Sequence, residues 1–171
     1  MKFDAYGPFE IARKTKTSVA RDKTVIRTFW DDIDAEHEGL SGACGCYVFV
    51  IRGRAWYVGL AKRQDFKHEC FSAHKLLQYN DALQQVSGPP SLLLLAKTTP
   101  KGRFAKPGNG HPDVSFLETL LIGSALGRNP RLQNIKGTKL LKEMRVPGVL
   151  NTGQGQARSV VVQELKKALG I

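Results

Sequence analysis

The chain has 171 residues, enough to bury a core within one domain with extensions. It carries no run of about 18 apolar residues and no apolar leader in MKFDAYGPFEIARK, which argues against a membrane span or export and for a cytoplasmic protein. Its 26 Lys and Arg stand against 15 Asp and Glu, and the net charge of +11 makes nucleic acid the first partner to consider, through counterion release.

Residues 1–20 read as basic and irregular, with a short strand at Pro8–Arg13. From Asp22 the apolar positions Val25, Ile26, Phe29, Trp30 and Ile33 step by three and four, which predicts an amphipathic helix. That helix runs into the acidic stretch Asp31–Glu38, read as a solvated face. Next comes GCYVFVIRGRAWYVG, residues 45–59, two short strands around a turn. A helix is predicted over Phe66–Gln85, with Phe66, Cys70, Ala73 and Leu77 as its apolar stripe. Gly88-Pro89-Pro90 ends it, and Ser91–Lys97 reads as a buried strand. Residues 98–112 form a long basic loop holding Lys101, Arg103 and Lys106, of a length that is usually functional or disordered. Asp113 is expected to cap a helix that ends at Asn129-Pro130. A basic segment with Lys136, Lys139 and Lys142 leads to a glycine-rich loop, read as a flexible turn, and to a last helix at Ser159–Leu169.

Three cysteines without a secretion signal read as reduced thiols. Cys44 and Cys46 with His68 and His74 do not match the usual zinc-ligand spacings, and a zinc site is set aside.

Side chains alternate along a strand, so Tyr47, Phe49 and Ile51 share one side of the hairpin and Cys46, Val48 and Val50 the other. A three-residue loop, Arg52-Gly53-Arg54, would pair Ile51 with Ala55 and Phe49 with Tyr57, and set Tyr47 opposite Gly59. Both phenols then lie on one face, within reach of one bound group. A two-residue loop would face them apart. Taken alone, the hairpin reads as an ordinary one with two core tyrosines, since Tyr favours strands.

Gly45-Cys46-Tyr47, then Tyr57-Val58-Gly59, resembles the paired signature of the GIY-YIG endonuclease superfamily. The chain beyond Gly59 keeps the order of that family: a helix with basic and His or Tyr side chains, a strand, a helix with one glutamate, and an asparagine past a proline. The resemblance implies an α+β fold, a small antiparallel sheet of about three strands flanked by helices, at residues 43–136. Residues 1–42 would be an N-terminal extension with one amphipathic helix, and 137–171 a basic C-terminal segment packed on the same domain. It also implies a metal-dependent endonuclease, with DNA favoured over RNA.

Under that resemblance Glu118 would hold one Mg²⁺ or Mn²⁺ ion, Tyr47 would position and deprotonate the attacking water, and Tyr57 and His74 would orient water and phosphate. Lys67 would offset transition-state charge, and Arg63, Lys101, Arg103, Lys106, Lys136 and Lys139 would track the nucleic-acid backbone. Gly45, Gly59 and Asn134 would support the site. Glu118 also draws notice by itself, as the one charge in VSFLETLLIGSAL. A carboxylate there needs a cation or hydrogen bonds, or else a narrow solvated stripe. The family carries an arginine on the helix after the second glycine motif, with His or Tyr four residues later. Counting from Gly59, that position falls on Lys67, and four residues on stands Phe71. The alternative is therefore a module of this fold that binds nucleic acid without cutting it.

Overall fold

A computed structural model of the chain describes residues 1–134, 138, 143, 148–149 and 159–170. The chain falls into two compact units, 1–134 and 135–171. Lys136, Lys139, Lys142 and the glycine-rich loop lie outside the described residues.

The first unit is α+β. Its centre is an antiparallel sheet of four strands, β1 (Lys2–Glu10), β4 (Gly45–Ile51), β5 (Arg54–Ala61) and β6 (Pro90–Thr98), in the order β1-β6-β4-β5. A separate two-stranded piece, β2 (Arg13–Thr15) and β3 (Ser18–Val19), comes directly after β1. The sheet is thus wider than the expected three strands, and the N-terminal extension supplies its outer strand rather than only a helix. The segment KFDAYGPFE carries Gly7, Pro8 and charges, which hide it from a pattern search yet suit an edge strand that bonds one neighbour only.

Helix α1 (Lys23–Glu36) starts where Asp22 accepts hydrogen bonds from the N–H groups of Thr24 and Val25, and it buries Trp30 and Ile33. The helix expected over residues 66–85 is broken. α2 (Phe66–Glu69) ends at Cys70, and α3 (Ala73–Gln85) restarts after Ser72, whose backbone is extended. The break lets Phe66 and Cys70 go under the sheet face while Phe71 turns to meet Phe29 and Trp30 of α1 edge-on. It also shifts the helical phase. Leu76, Tyr79, Ala82 and Leu83 are buried, whereas Leu77, expected on the apolar stripe, is 59% exposed.

The hairpin has a two-residue turn rather than three. Arg52 (φ 51°) and Gly53 (φ 69°) both adopt positive φ, and Ile51 pairs with Arg54. Such a turn matches the twist of the strands it joins. One strand then carries an extra residue: Phe49 pairs with Tyr57 but Val50 with Ala55, so Trp56 is bulged. The bulge restores the parity that the short turn would have broken. Tyr47 faces Gly59, and both tyrosines share a side.

Helix α4 (Pro112–Arg128) begins with Pro112 in its first turn, so His111 rather than Asp113 occupies the cap position. It covers the opposite face of the sheet, and the Cys46 thiol reaches the Val114 carbonyl at 3.3 Å. Beyond it, residues 129–134 bind the edge of β5. Asn129 Nδ2 donates to the Ala55 carbonyl, Gln133 N–H to that of Trp56, and the Asn134 amide both accepts from and donates to the backbone of Val58. In the second unit, α5 (Val160–Leu169) is capped by Ser159 Oγ and closed by Gly170 in the left-handed region.

Candidate nucleic-acid interface and tyrosine cluster

The three helices α1–α3 cover the face of the sheet that carries Tyr47. Its ring lies across Gly59, where a methyl group would run into the phenol carbons and oxygen. Gly45 is needed for another reason: a side chain there would meet the Leu95 carbonyl of β6 and the ring of Phe66. Tyr79 of α3 stacks flat on Phe49 (4.1 Å between centroids) and meets Tyr57 edge-on. Tyr47 and Tyr57 are 6.2 Å apart, ring to ring.

Among these phenols Tyr57 has a partner. Lys75 Nζ donates to its hydroxyl at 2.6 Å and pairs with Glu69 at 3.3 Å. Burial alone would push Lys75 down, but the Tyr57 hydrogen bond and Glu69 outweigh it and hold the ammonium above its ordinary value. Tyr47 and Tyr79 are fully buried, and neither hydroxyl has a hydrogen-bond partner among the described residues. Burial, reinforced by neighbouring acidic and phenolic groups, pushes both phenols well above their ordinary value. A phenol so placed stays protonated at neutral pH.

Glu118 lies on the other side of the sheet. It stands one turn from the buried Val114 and Ile122 on the sheet-facing side of α4, and its charge acts on Cys46, whose side chain alternates away from Tyr47. Burial first and Glu118 second push the Cys46 thiol up to about 12. One turn earlier on α4, Ser115 accepts from Lys62 at 3.3 Å. Among the described residues no three His, Cys, Asp or Glu side chains converge on one point.

Sequence spacing puts Lys67 and His74 on one helical face. In the structure they sit on different helices, α2 and α3, and both are exposed. The residue pair that reaches the tyrosines is Lys75 and Tyr79. They are four apart, the spacing the resemblance asks of a cation and a His or Tyr, but counting from Gly59 misses them because the helix restarts at Ser72.

A second grouping forms at the end of the sheet where β4 begins and β5 ends. The Gly108 N–H donates to the Lys62 carbonyl, and the Ala105 carbonyl accepts from Cys44, so the 99–111 loop is tied beside the exit of β5. Lys67 N–H donates to the Ser41 carbonyl, and the Lys106 ammonium stands over the adjacent Gly42. Arg63, Lys67 and Lys106 are all exposed there. The nearby carboxylate Asp65 is engaged by the N–H and ring of His68. Lys101 and Arg103 are exposed at the tip of the loop, which turns back through Thr99.

The loop is anchored from below. Lys97 of β6 pairs with Asp113 at 2.7 Å and meets His111 Nδ1 at 2.9 Å, while His111 Nε2 bonds the Lys106 carbonyl. Burial raises Asp113, but the Lys97 ammonium and the N–H groups of the α4 first turn prevail and hold it below the usual carboxylate range.

No family model, curated protein or solved structure matches this chain. No described helix is long and apolar enough to cross a membrane.

Proposed function

We propose that this protein binds nucleic acid, with DNA the first polymer to test, on a scaffold resembling the GIY-YIG fold. One observation carries the reading. The Gly108–Lys62 backbone hydrogen bond draws the basic 99–111 loop to the end of β5, beside the exposed Arg63, Lys67 and Lys106. Exposed cations on anchored backbone suit phosphate contacts, which position a polymer without reading its sequence. In this reading the tyrosines hold the hairpin to α3 and touch no substrate.

A second reading, a metal-dependent endonuclease, is favoured by one feature: Lys75 hydrogen-bonds Tyr57 and precedes Tyr79 by four. There Tyr57, 7% exposed and nearer the surface than Tyr47, would be the phenol that meets water or phosphate.

Two measurements separate them. Binding of labelled double- and single-stranded DNA and of RNA is followed across a salt series. Changing Lys106 or Arg63 to Ala should reduce the slope of log K against log salt by about 1 each if each contacts a phosphate. Slopes equal to that of the unaltered protein would refute the interface. Plasmid cleavage is assayed with Mg²⁺, Mn²⁺ or EDTA, beside Tyr57→Phe, Lys75→Met and Glu118→Ala. Cutting that needs metal and is lost in these variants would establish the second reading.

A further inference from the structure

The face of the sheet away from the tyrosines carries a groove of about 950 Å³, a size usual for small-molecule sites. Val48 and Val50 of β4 and Leu93 of β6 form its floor, and Leu121 and Ala125 of α4 form one wall. Among the described residues, no aromatic ring and no carboxylate lines it.

Its charges gather at one end. Asn129 Nδ2 donates to the Ala55 carbonyl at 2.8 Å, which ties the end of α4 to the hairpin turn. Arg128 and Arg54, each next to one of the bonded residues, thereby share one rim with Arg52. All three arginines are exposed, and among the described residues none pairs with a carboxylate. Arg128 also suits the negative end of its helix. Arg52 has no such reason for its place. It is the one described residue other than glycine in the left-handed region (φ 51°), at a turn position that Asn, Asp or Gly fills at less cost. Strain of that kind points to a use for the side chain. The stem of Arg52 lies across Gly88, where a β-carbon would stand 3.0 Å from Arg52 Cγ.

Away from those arginines the groove is aliphatic. Val50 and Val48 take alternate positions leading from the turn, and on α4 the stretch from Arg128 back to Leu121 covers about 10 Å. An anionic head at one end with a flexible aliphatic tail along the floor answers both halves. The guanidinium fork matches the two oxygens of a carboxylate. A nucleic-acid strand answers only one half: its phosphates suit the arginines, but its bases stack on aromatic rings, which the groove lacks. We infer that this groove binds a free single-chain fatty carboxylate, its head among Arg52, Arg54 and Arg128 and its chain over Val50, Val48 and Leu93. The inference is independent of nucleic-acid binding, since Arg63, Lys67 and Lys106 stand at the far end of β5.

Decanoate, kept below its micelle concentration and titrated calorimetrically into the full chain, should bind saturably at one to one. Octanoate should bind about tenfold more weakly, because two fewer methylenes are buried. Decanol, which has the chain without the charge, should also bind weaker by about tenfold or more. Arg54→Gln together with Arg128→Gln should weaken decanoate by about tenfold or more. Ser124→Trp sets a ring on the exposed lip of the groove, leaves the core untouched and should have the same effect. Decanoate should raise the thermal midpoint of the unaltered chain and not that of Ser124→Trp. Arg63→Gln with Lys106→Gln, and separately Phe116→Ser, should leave decanoate affinity within about twofold, because these sites are distant from the groove. Absence of saturable binding, decanol binding as tightly as decanoate, or affinity indifferent to both groove variants would overturn the proposal. Displacement of decanoate by a DNA oligonucleotide from the chain lacking Arg63 and Lys106 would assign the three arginines to the polymer and overturn it as well.

Discussion

On one face of the sheet Tyr47, Phe49 and Ile51 are sealed under α1–α3 among Trp30, Phe66, Tyr79 and Leu83. On the other, Val48 and Val50 of the same strand stay half-buried beside a groove of about 950 Å³, floored also by Leu93 and rimmed by Arg52, Arg54 and Arg128. The two sets of side chains alternate along seven residues of β4. One is fitted by stacked rings and two glycines at which any side chain would collide with a neighbour; the other is aliphatic and only partly covered by α4. What separates the faces is the demand for shape, more than hydrophobicity. The tyrosine signature belongs to the demanding face and Glu118 to the permissive one.

That contrast can be broken deliberately, and the largest effect is expected at Gly45. Gly45→Ala should cost about 3 kcal/mol or more in chemical denaturation, because the obstruction is backbone of the neighbouring strand and cannot turn aside. Gly59→Ala should cost about 2 kcal/mol, since its obstacle is the Tyr47 ring. In the double variant with Tyr47→Leu the two costs should fall short of their sum. Additive losses would mean that ring and glycine are not in contact.

The Lys97–Asp113 pair gives a smaller, pH-dependent effect. Because the folded protein holds the Asp113 carboxyl below its ordinary value, its contribution is complete above that value, near pH ~4, and is lost as pH falls below it. Thermal midpoints should drop over that interval, and Asp113→Asn should flatten the drop. Smallest of all, Val50→Thr, on the permissive face, should change stability by under about 1 kcal/mol. A loss as large as at Gly59 would abolish the distinction between the faces.

Much of this arrangement can be read from the chain. Asp22, the Gly88-Pro89-Pro90 run and Asn129-Pro130 punctuate α1, α3 and α4 because caps and prolines act locally. Strand alternation correctly puts both tyrosines on one side, although a short turn and a bulge achieve what a longer turn would have done. Three features are hidden for identifiable reasons. β1 is half-exposed and interrupted by Gly7 and Pro8, so it lacks a strand's usual pattern. The break at Cys70–Ser72 falls inside an unbroken apolar periodicity, and only the phase after it differs. Lys75 escapes notice because its role depends on that phase, and its spacing to Tyr79 is the one signal that could reveal it. That Glu118 acts on Cys46 rather than Tyr47 is set by which face α4 covers, a property of tertiary packing that no local pattern encodes.

Two of the three buried thiols have a practical consequence. Cys70 lies under α2 and α3, Cys46 beneath α4, and both are held protonated, Cys70 well above its ordinary value and Cys46 at about 12. An alkylating reagent can therefore reach them only when the covering helix lifts. The chain carries its own pair of clocks, one on each side of the sheet. Pulsed labelling read by mass should time the opening of the two sides separately, with Cys46 marked before Cys70.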